Sequence, residues 1–373
     1  MKALILHARA GHGHLKVAEV LRDALIAEGA SPEEIRLEDA LERTPAIFRH
    51  TYPSIYFNAV KYAPALWGGF YYLLEHEFLY RCVEPFRGLH NRLWGGRLLR
   101  DVREMNPEWL IFTHFYSAEL FARAKRAGLI TSKLMTIVTD FHPHRVWINP
   151  GTDYYWVMSN EGRTTLEARG VRRSQILADG IPVDPKFMRT GQKKEILKKW
   201  GFEDSRFTLL ITSGSFGLGP NEELLAELDA FRDKIQCFVV CGNNRDMEAK
   251  LMGKKYRFPV KILGFVDFMA DLMEASDLLL AKCGGSTTVE SLAKGIPMVV
   301  LQPIPGQETE NAKLLKERNA SFFLQKPEQI RVIMKTIFEE AHLMETKRAR
   351  IQELARPHAG GAAAKFILGK NAS

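Results

Sequence analysis

The chain has 373 residues, 46% hydrophobic and 26% charged, which fits two globular domains and excludes a disordered or fibrous protein. Its formal net charge of +8 favours an anionic partner: a nucleic acid, an anionic membrane or a phosphorylated substrate. Neither a signal peptide nor the ~20 consecutive apolar residues of a spanning helix can be recognised. Four scattered cysteines without a CxxC pair predict a reducing compartment and no structural zinc.

The first elements along the chain are a strand, a glycine-rich turn and a helix. Residues 3–7 form a short apolar run that ends in a histidine, and Gly11, Gly13 and His14 follow within seven residues. Apolar residues then recur at helical spacing over residues 17–25. This order is typical of the opening βα unit of an α/β fold.

The βα pattern then repeats through two halves of the chain. In the first half, apolar runs at 109–113, 134–138 and 154–158 alternate with helical stretches, which indicates a parallel sheet covered on both faces. In the second half, strands are predicted at 207–212, 236–241, 260–263, 278–281 and 298–301.

A turn-rich segment at 180–185 and a lysine-rich helix separate the two series of strands. We therefore predict an N-terminal domain over 1–185 and a C-terminal domain over 186–373, with the last helix packing back on the first domain. Ligands of such sheets gather at the carboxyl ends of the strands, so the loops there are the candidate sites.

Two glycine-containing loops of the second half follow predicted strands. Gly214 and Ser215 lie in the first, where glycine lets the backbone approach a phosphate, although such turns often serve only the chain reversal. The second loop is richer in candidate ligands: Gly284, Gly285, Ser286, Thr287 and Glu290.

Ser286 and Thr287 are expected to cap the helix that follows the second loop, with a pyrophosphate at its N-terminus and Glu290 reaching ribose hydroxyls. A simple capping box with Thr287 as cap explains the spacing as well, but not the double glycine. Farther on, a proline-fixed loop presents Gln307 and Glu308, whose side chains suit sugar hydroxyls or simply a polar helix start.

In the first half, His14 stands near a helix start, which lowers the pKa of a histidine and favours the neutral form that a base needs. Asp140, His142 and His144 follow another strand. Two histidines and an aspartate can bind a metal, but no further cluster completes a site, and we expect none.

Residues 45–103 combine many aromatic side chains with arginines, including Trp67, Arg81, Arg87 and Arg92. Aromatic rings favour a membrane interface and arginines favour anionic headgroups. We expect part of this segment to be core and part to be a docking surface. Nucleic-acid binding is a weaker interpretation, since no nucleic-acid motif accompanies the segment.

Five motifs in order resemble those of the diacylglycerol glycosyltransferases, a group that includes the processive diacylglycerol β-glucosyltransferases and the monogalactosyldiacylglycerol synthases. The resemblance covers nearly the whole chain. It rests on Gly-His-Gly-His at 11–14, the segment at 139–147, Gly-Ile-Pro-Val at 180–183, residues 284–290 and residues 305–311.

The resemblance implies a GT-B fold, two Rossmann-like domains facing across a cleft, with acceptor bound by the first and UDP-sugar by the second. It further implies inversion at the anomeric carbon without a metal or other cofactor. His14 matches the candidate base, and Asp140 joins it as a catalytic candidate. Gly13, Phe265, Val266 and Glu290 match positions that bind the nucleotide, and Gln307 and Glu308 match residues that hold the donor sugar.

The function that this resemblance implies is transfer of a hexose, glucose before galactose, to 1,2-diacylglycerol at the cytoplasmic face of the membrane. Anionic lipids are expected partners, with His144, Trp67 and the arginines serving acceptor or membrane contact. Two alternatives stay open: transfer of N-acetylglucosamine to a lipid-linked peptidoglycan precursor, and a UDP-N-acetylglucosamine 2-epimerase, which has the same fold and needs no membrane.

Overall fold

The computed structural model describes residues 1–9, 12–212, 214, 221–340 and 342–370, apart from the side chains of His12 and Asn221. The strands in these ranges, β1 to β12, are Ala3–His7, Ile35–Asp39, Trp109–Phe112, Lys133–Ile137, Tyr154–Trp156, Ile176–Leu177, Phe207–Thr212, Ile235–Val240, Val260–Leu263, Leu278–Ala281, Met298–Leu301 and Ser321–Leu324. The helices, α1 to α15, are His12–Ala27, Ala46–Tyr62, Pro64–Glu75, Glu77–Met105, Phe115–Arg126, Asn160–Ala168, Lys193–Lys199, Asn221–Leu228, Arg245–Met252, Met269–Ala275, Gly285–Lys294, Gln307–Glu317, Gln329–Glu339, His342–Leu354 and Ala359–Ile367.

The chain divides into two compact units. The first comprises Met1–Asp184, the loop Ile304–Glu310 and the chain from Arg356 onward, and the second comprises Pro185–Pro303 and Asn311–Ala355. Each unit contains one six-stranded parallel sheet. The α/β class predicted from the alternating pattern is thereby confirmed.

The first sheet has the strand order β2-β1-β3-β4-β5-β6. Leu4, Ile5 and Leu6 of β1 are fully buried, because a strand in the middle of a parallel sheet is covered on both faces. From β1 the chain passes through α1 to β2 on one side, and from β3 it passes through α5 to β4 on the other. The carboxyl ends of β1 and β3 therefore flank a topological switch point.

The second sheet has the order β12-β11-β10-β7-β8-β9, and its switch point lies between β7 and β10. Its core includes Cys237 on β8 and Cys241, the residue after that strand, and Cys283 is buried as well. Cys82, on α4, is exposed. Burial raises the pKa of the Cys237 thiol, and an unionised buried thiol packs as a small apolar group.

Between β2 and β3 the chain forms three successive helices, α2, α3 and α4, over the segment predicted to be part core and part docking surface. Gly88, Asn91 and Gly95 form a stripe on the buried face of the 29-residue helix α4. A Cβ atom at Gly95 would lie 2.5 Å from a methyl carbon of Leu120 on α5, so the small residues let the two helices approach closely. Within the described ranges, no helix combines the length and the apolar character needed to cross a bilayer.

Candidate active site

The switch point of the first sheet brings three histidines together. His7 ends β1, His14 lies in the first turn of α1, and His114 is the N-cap of α5 after β3. The rings of His14 and His114 are 4.7 Å apart in an edge-to-face arrangement. This cluster forms where open α/β sheets bind their ligands.

The orientation of His14 is fixed by Thr113, the residue that follows β3. His14 Nδ1 lies 2.6 Å from the carbonyl oxygen of Thr113 and 3.1 Å from Oγ1 of Thr139. The hydroxyl of Thr113 in turn donates to the carbonyl oxygen of His14 at 2.9 Å. Because a carbonyl oxygen only accepts, Nδ1 carries the proton of the neutral ring and Nε2 keeps its lone pair.

Burial lowers the pKa of His14 to about 4, against the hydrogen bond to Thr113, which raises it. The imidazole is therefore neutral at physiological pH. A neutral ring whose Nε2 is held as an acceptor has the protonation state of a general base.

Its two neighbours are neutral for the same reason. Burial holds the pKa of His114 well below its ordinary value, and its Nδ1 accepts from the Tyr116 amide at 3.1 Å, which places the proton on Nε2. Burial also lowers the pKa of His7, while Asp39 raises it. In the described part of the chain, the buried Nδ1 of His7 finds no hydrogen-bond partner. His14 thus lies among uncharged imidazoles.

Asp140 is buried and links the candidate residue Gln307 to Trp147. Its Oδ2 accepts from the indole nitrogen of Trp147 at 2.8 Å, and its Oδ1 accepts from Nε2 of Gln307. Burial raises the pKa of Asp140, and the hydrogen bonds from Gln307 and Trp147 oppose that shift. The ring of Trp147 lies 6.2 Å from that of His14, so Asp140 orients groups beside the candidate base.

His144 is buried, with both ring nitrogens bonded to protein atoms. Nε2 donates to the Tyr71 carbonyl at 3.0 Å, and Nδ1 accepts from the Val146 amide at 3.1 Å. Glu75 lies 3.3 Å from Nε2 and also pairs with Arg169. His144 therefore anchors α3, whatever further contact it makes.

The histidines and the aspartate after β4 do not lie together in an arrangement of metal ligands. Among the described residues, no group of three or more His, Cys, Asp or Glu side chains is placed to hold a metal ion. Nε2 of His142 instead lies 4.0 Å from Oε2 of Glu75.

In the second unit, α11 begins with its double glycine. Gly284 is the N-cap and Gly285 the first helical residue, so the expectation that Ser286 and Thr287 cap this helix is wrong. Ser286 and Thr287 lie in the first turn of the helix. The N-cap, Gly284, has no side chain that could bond to the helix amides. The reason is that Gly284 takes the extended backbone of a cap and its carbonyl already accepts from the Thr288 amide at 2.9 Å. An N-terminus without a side-chain cap suits an anion.

The other predicted nucleotide residues occupy loops or helix starts. Phe265, 59% exposed, and Val266 follow β9, and Glu290 lies in the second turn of α11. Gly214 has a left-handed φ of +69° after β7, whereas Ser215 lies outside the described residues. Gly13, of the first unit, lies in the first turn of α1.

The residues predicted to contact lipid divide into two groups. Arg81 and Arg92 are exposed on α4, and Trp67 is half-buried against Tyr56. Arg87 instead donates to the Val146 carbonyl and to Asn149 Oδ1, the latter at 3.0 Å. The guanidinium of Arg87 thus holds α4 against the 139–149 segment, and its assignment as an acceptor or membrane contact stays a prediction.

Both halves of the chain match known families. Residues 14–183 match the family model described as monogalactosyldiacylglycerol (MGDG) synthase, and residues 208–361 match that of the glycosyltransferase family 28 C-terminal domain. The chain is a glycosyltransferase.

Curated relatives agree with the family models. A processive diacylglycerol beta-glucosyltransferase of Bacillus pumilus is 26% identical over 359 residues, 96% of this chain and 92% of the relative. The Bacillus subtilis protein of the same name is 26% identical over 355 residues, 95% of this chain and 91% of the relative. The family predicted from the motifs, and its glycosyltransferase activity, are confirmed.

Solved structures confirm the GT-B fold. MurG of Acinetobacter baumannii has a TM-score of 0.63 at 15% identity, with 99% of this chain and 100% of that chain covered. HepE of Anabaena, in complex with UDP-glucose, has a TM-score of 0.58 at 13% identity, with both chains covered completely.

Three contributors to the candidate site, Thr113, Glu75 and Trp147, were missed in the sequence. Thr113 acts through its carbonyl, and a backbone acceptor leaves no mark on residue type. Glu75 stands in an aromatic segment, far along the chain from Arg169. A signal was available only for Trp147, which lies seven residues after Asp140 in a recognised motif.

Proposed function

We propose that the protein transfers a hexose, glucose before galactose, from a UDP-sugar to the hydroxyl of 1,2-diacylglycerol, with inversion, giving a β-glycosyldiacylglycerol. The observation that carries the proposal is the tautomer of His14, whose Nδ1 proton is committed to the Thr113 carbonyl at 2.6 Å. The names of the relatives, diacylglycerol beta-glucosyltransferases, support the acceptor and the choice of glucose.

In this reaction Nε2 of His14 takes the proton of the acceptor hydroxyl. The oxygen forms a bond to the anomeric carbon, while the bond from that carbon to UDP breaks and its electron pair leaves with the diphosphate. The N-terminus of α11 would stabilise the departing charge. Because the pKa of His14 is about 4, the imidazolium gives up its proton readily and the base is restored.

Gln307 and Glu308 are the proposed ligands of the hexose. Asp140 holds the Gln307 amide, and Glu308 accepts from the Ile304 amide at 2.8 Å, which closes the loop at the start of α12. No metal ion or other cofactor has a step in this proposal.

The deciding experiment offers labelled UDP-glucose and UDP-galactose in parallel to diacylglycerol in anionic vesicles. We expect labelled glycolipid from UDP-glucose, and a loss of about 10²–10⁴-fold in His14→Ala with UDP binding retained. Full activity of His14→Ala would reject it as base. A folded protein that binds UDP yet makes no glycolipid would reject the acceptor, and parallel assays with the peptidoglycan precursor and with UDP-N-acetylglucosamine would identify either alternative.

We also propose that α2 to α4 dock on an anionic bilayer. Their exposed apolar side chains are large and numerous, as at Leu66 (78% exposed), Phe86 (74%) and Leu93 (70%), and the exposed Arg81 and Arg92 lie on the same helix as the last two. Apolar insertion combined with arginine contact to headgroups is the physical basis of interfacial binding.

Vesicle flotation tests the docking surface. Phe86→Ser should weaken binding to anionic vesicles, whereas Val332→Ser, at a valine of α13 that is 68% exposed, should leave it unchanged. Arg92→Gln should matter at low salt and little at high salt, since salt screens exposed charges. Equal flotation of the two serine variants would contradict the proposal.

A further inference from the structure

Helix α3 has an exposed face, which belongs to the proposed docking surface, and a buried face. The buried face is turned toward the loop Ile304–Glu310 of the same unit. Gly68, Tyr71 and Leu74 are the buried residues of α3, while Leu66, Phe70 and other side chains on the opposite face are exposed. The buried face contacts the loop that presents Gln307.

The contact depends on one glycine in the helix and one in the loop. A Cβ atom at Gly68 would lie 2.6 Å from Cβ of Pro305, and one at Gly306 would lie 2.7 Å from Cγ of Tyr71. Gly306 has a φ of +95°, which favours glycine independently. The backbone of Gly68 therefore packs against the ring of Pro305, and the backbone of Gly306 packs against the ring of Tyr71. Neither contact has space for one additional carbon atom.

The same loop is held at two further points. The Tyr72 hydroxyl donates to Glu310 Oε1 at 3.0 Å, and the Gln307 amide donates to Asp140. The helix in turn is anchored through the Tyr71 carbonyl, which accepts from His144, and through the ion pair of Glu75 with Arg169.

From these contacts we propose that α3 is a positioning element for the donor hexose, with Gly68 and Tyr71 as positioning residues that set where Gln307 and Glu308 lie. The inference rests on the proposed function, in which Gln307 and Glu308 bind the hexose. It adds that the geometry of the sugar site depends on the helix that packs against the loop carrying both residues.

Gly68→Ala and its neighbour Gly69→Ala form a matched pair. A Cβ atom at Gly69 meets no atom of the described residues within 4 Å, and both changes add the same helix propensity. In Gly68→Ala the loop must move by roughly 1 Å to restore ordinary contact between carbon atoms.

We expect Gly68→Ala to lose about tenfold to a hundredfold in kcat/KM for UDP-glucose, the scale of a 1 Å misplacement, while Gly69→Ala stays at the wild-type value. Calorimetry should show that UDP, which lacks the hexose, binds both variants as it binds the wild type, whereas UDP-glucose binds Gly68→Ala more weakly. Adding Pro305→Gly, which removes the opposing Cβ, should restore part of the loss.

Equal kinetics for the two alanine variants would overturn the inference, and so would an equal loss of UDP and UDP-glucose affinity in Gly68→Ala. If Gly68→Ala does not fold, Tyr72→Phe decides: a KM for UDP-glucose raised about twofold to fivefold supports the inference, and an unchanged KM overturns it. A wild-type protein that makes no glycolipid would instead show that the proposed function has failed and the inference with it.

Discussion

A single carbonyl group decides the chemistry of His14. Thr113 accepts from Nδ1 at 2.6 Å, which selects one tautomer, and burial lowers the pKa of the ring to about 4. An ordinary histidine with a pKa near 6.5 would be partly protonated at pH 6 and would lose base strength with it. At the residue scale, the low pKa makes His14 a weaker base, but it also keeps the ring unprotonated at physiological pH.

The pH dependence of the rate follows from this shift. Since the neutral ring is the active form and the pKa of His14 is about 4, kcat/KM should stay nearly constant from pH 8 to about pH 5 and fall only below that. The measurement is a pH profile of transfer with UDP-glucose in vesicles of fixed composition. An acid limb centred near pH 6.5 would contradict the expected environment of His14.

At the scale of elements, strands with uniformly apolar sequences were predictable, whereas three of the four edge strands, β2, β6 and β12, were not, and only the edge strand β9 was predicted. β1, β7 and β10 are buried runs and were recognised. β2 was not recognised because its sequence, Ile-Arg-Leu-Glu-Asp, mixes charged and apolar residues, as edge strands often do. β6 was not recognised because it has only two residues.

The candidate site was predictable only as separate motifs. His14, Asp140 and Gln307 were each recognisable, but the hydrogen bond between Asp140 and Gln307 joins residues 167 positions apart and has no local signal. Likewise, the double glycine at 284 and 285 indicated an anion site, but residue type alone did not show that the helix begins one residue after Gly284.

The packing of α4 on α5 gives a prediction at this scale. Gly95→Ala places a Cβ atom 2.5 Å from a methyl carbon of Leu120, a residue that is only 4% exposed, whereas the Cβ atom of Gly96→Ala meets no atom within 4 Å in the described part of the chain. Gly96→Ala should stabilise the protein by up to about 1 kcal/mol through helix propensity. Overpacking of about 1–3 kcal/mol should make Gly95→Ala the less stable of the two.

Urea unfolding of the two variants measures that difference. Vesicle flotation serves as the control, because neither glycine carries an apolar or charged side chain. Equal unfolding midpoints would show that Leu120 yields without cost and that the glycine stripe is not required for close packing.

At the scale of the whole molecule, the chain returns to its first unit after completing the second. The segment from Arg356 onward, which includes α15, belongs with residues 1–184. This segment packs against Gly180, which has a φ of +99°. A Cβ atom at Gly180 would collide with the Arg356 side chain and lie 3.2 Å from Cβ of Ala359. Helix α15 is thus part of the core of the unit that contains the first residues of the chain.

Gly180→Ala should consequently destabilise the protein more than Gly170→Ala. Both glycines have left-handed φ values, +99° and +87°, so both variants carry backbone strain of about 1–3 kcal/mol. Only Gly180→Ala adds a collision with the C-terminal segment, and we expect a further loss of about 1–3 kcal/mol. Denaturant midpoints compare the two, and faster proteolytic removal of α15 in Gly180→Ala would identify the released segment.

The distribution of the thiols has a practical consequence. Cys237, Cys241 and Cys283 are buried, whereas Cys82 is exposed on α4, between the exposed Phe78 and Phe86. A maleimide fluorophore added to the native chain should therefore label one position, on the helix that is proposed to meet the bilayer. The unmutated enzyme thus supplies its own spectroscopic reporter, whose emission colour can be followed in real time as vesicles are added.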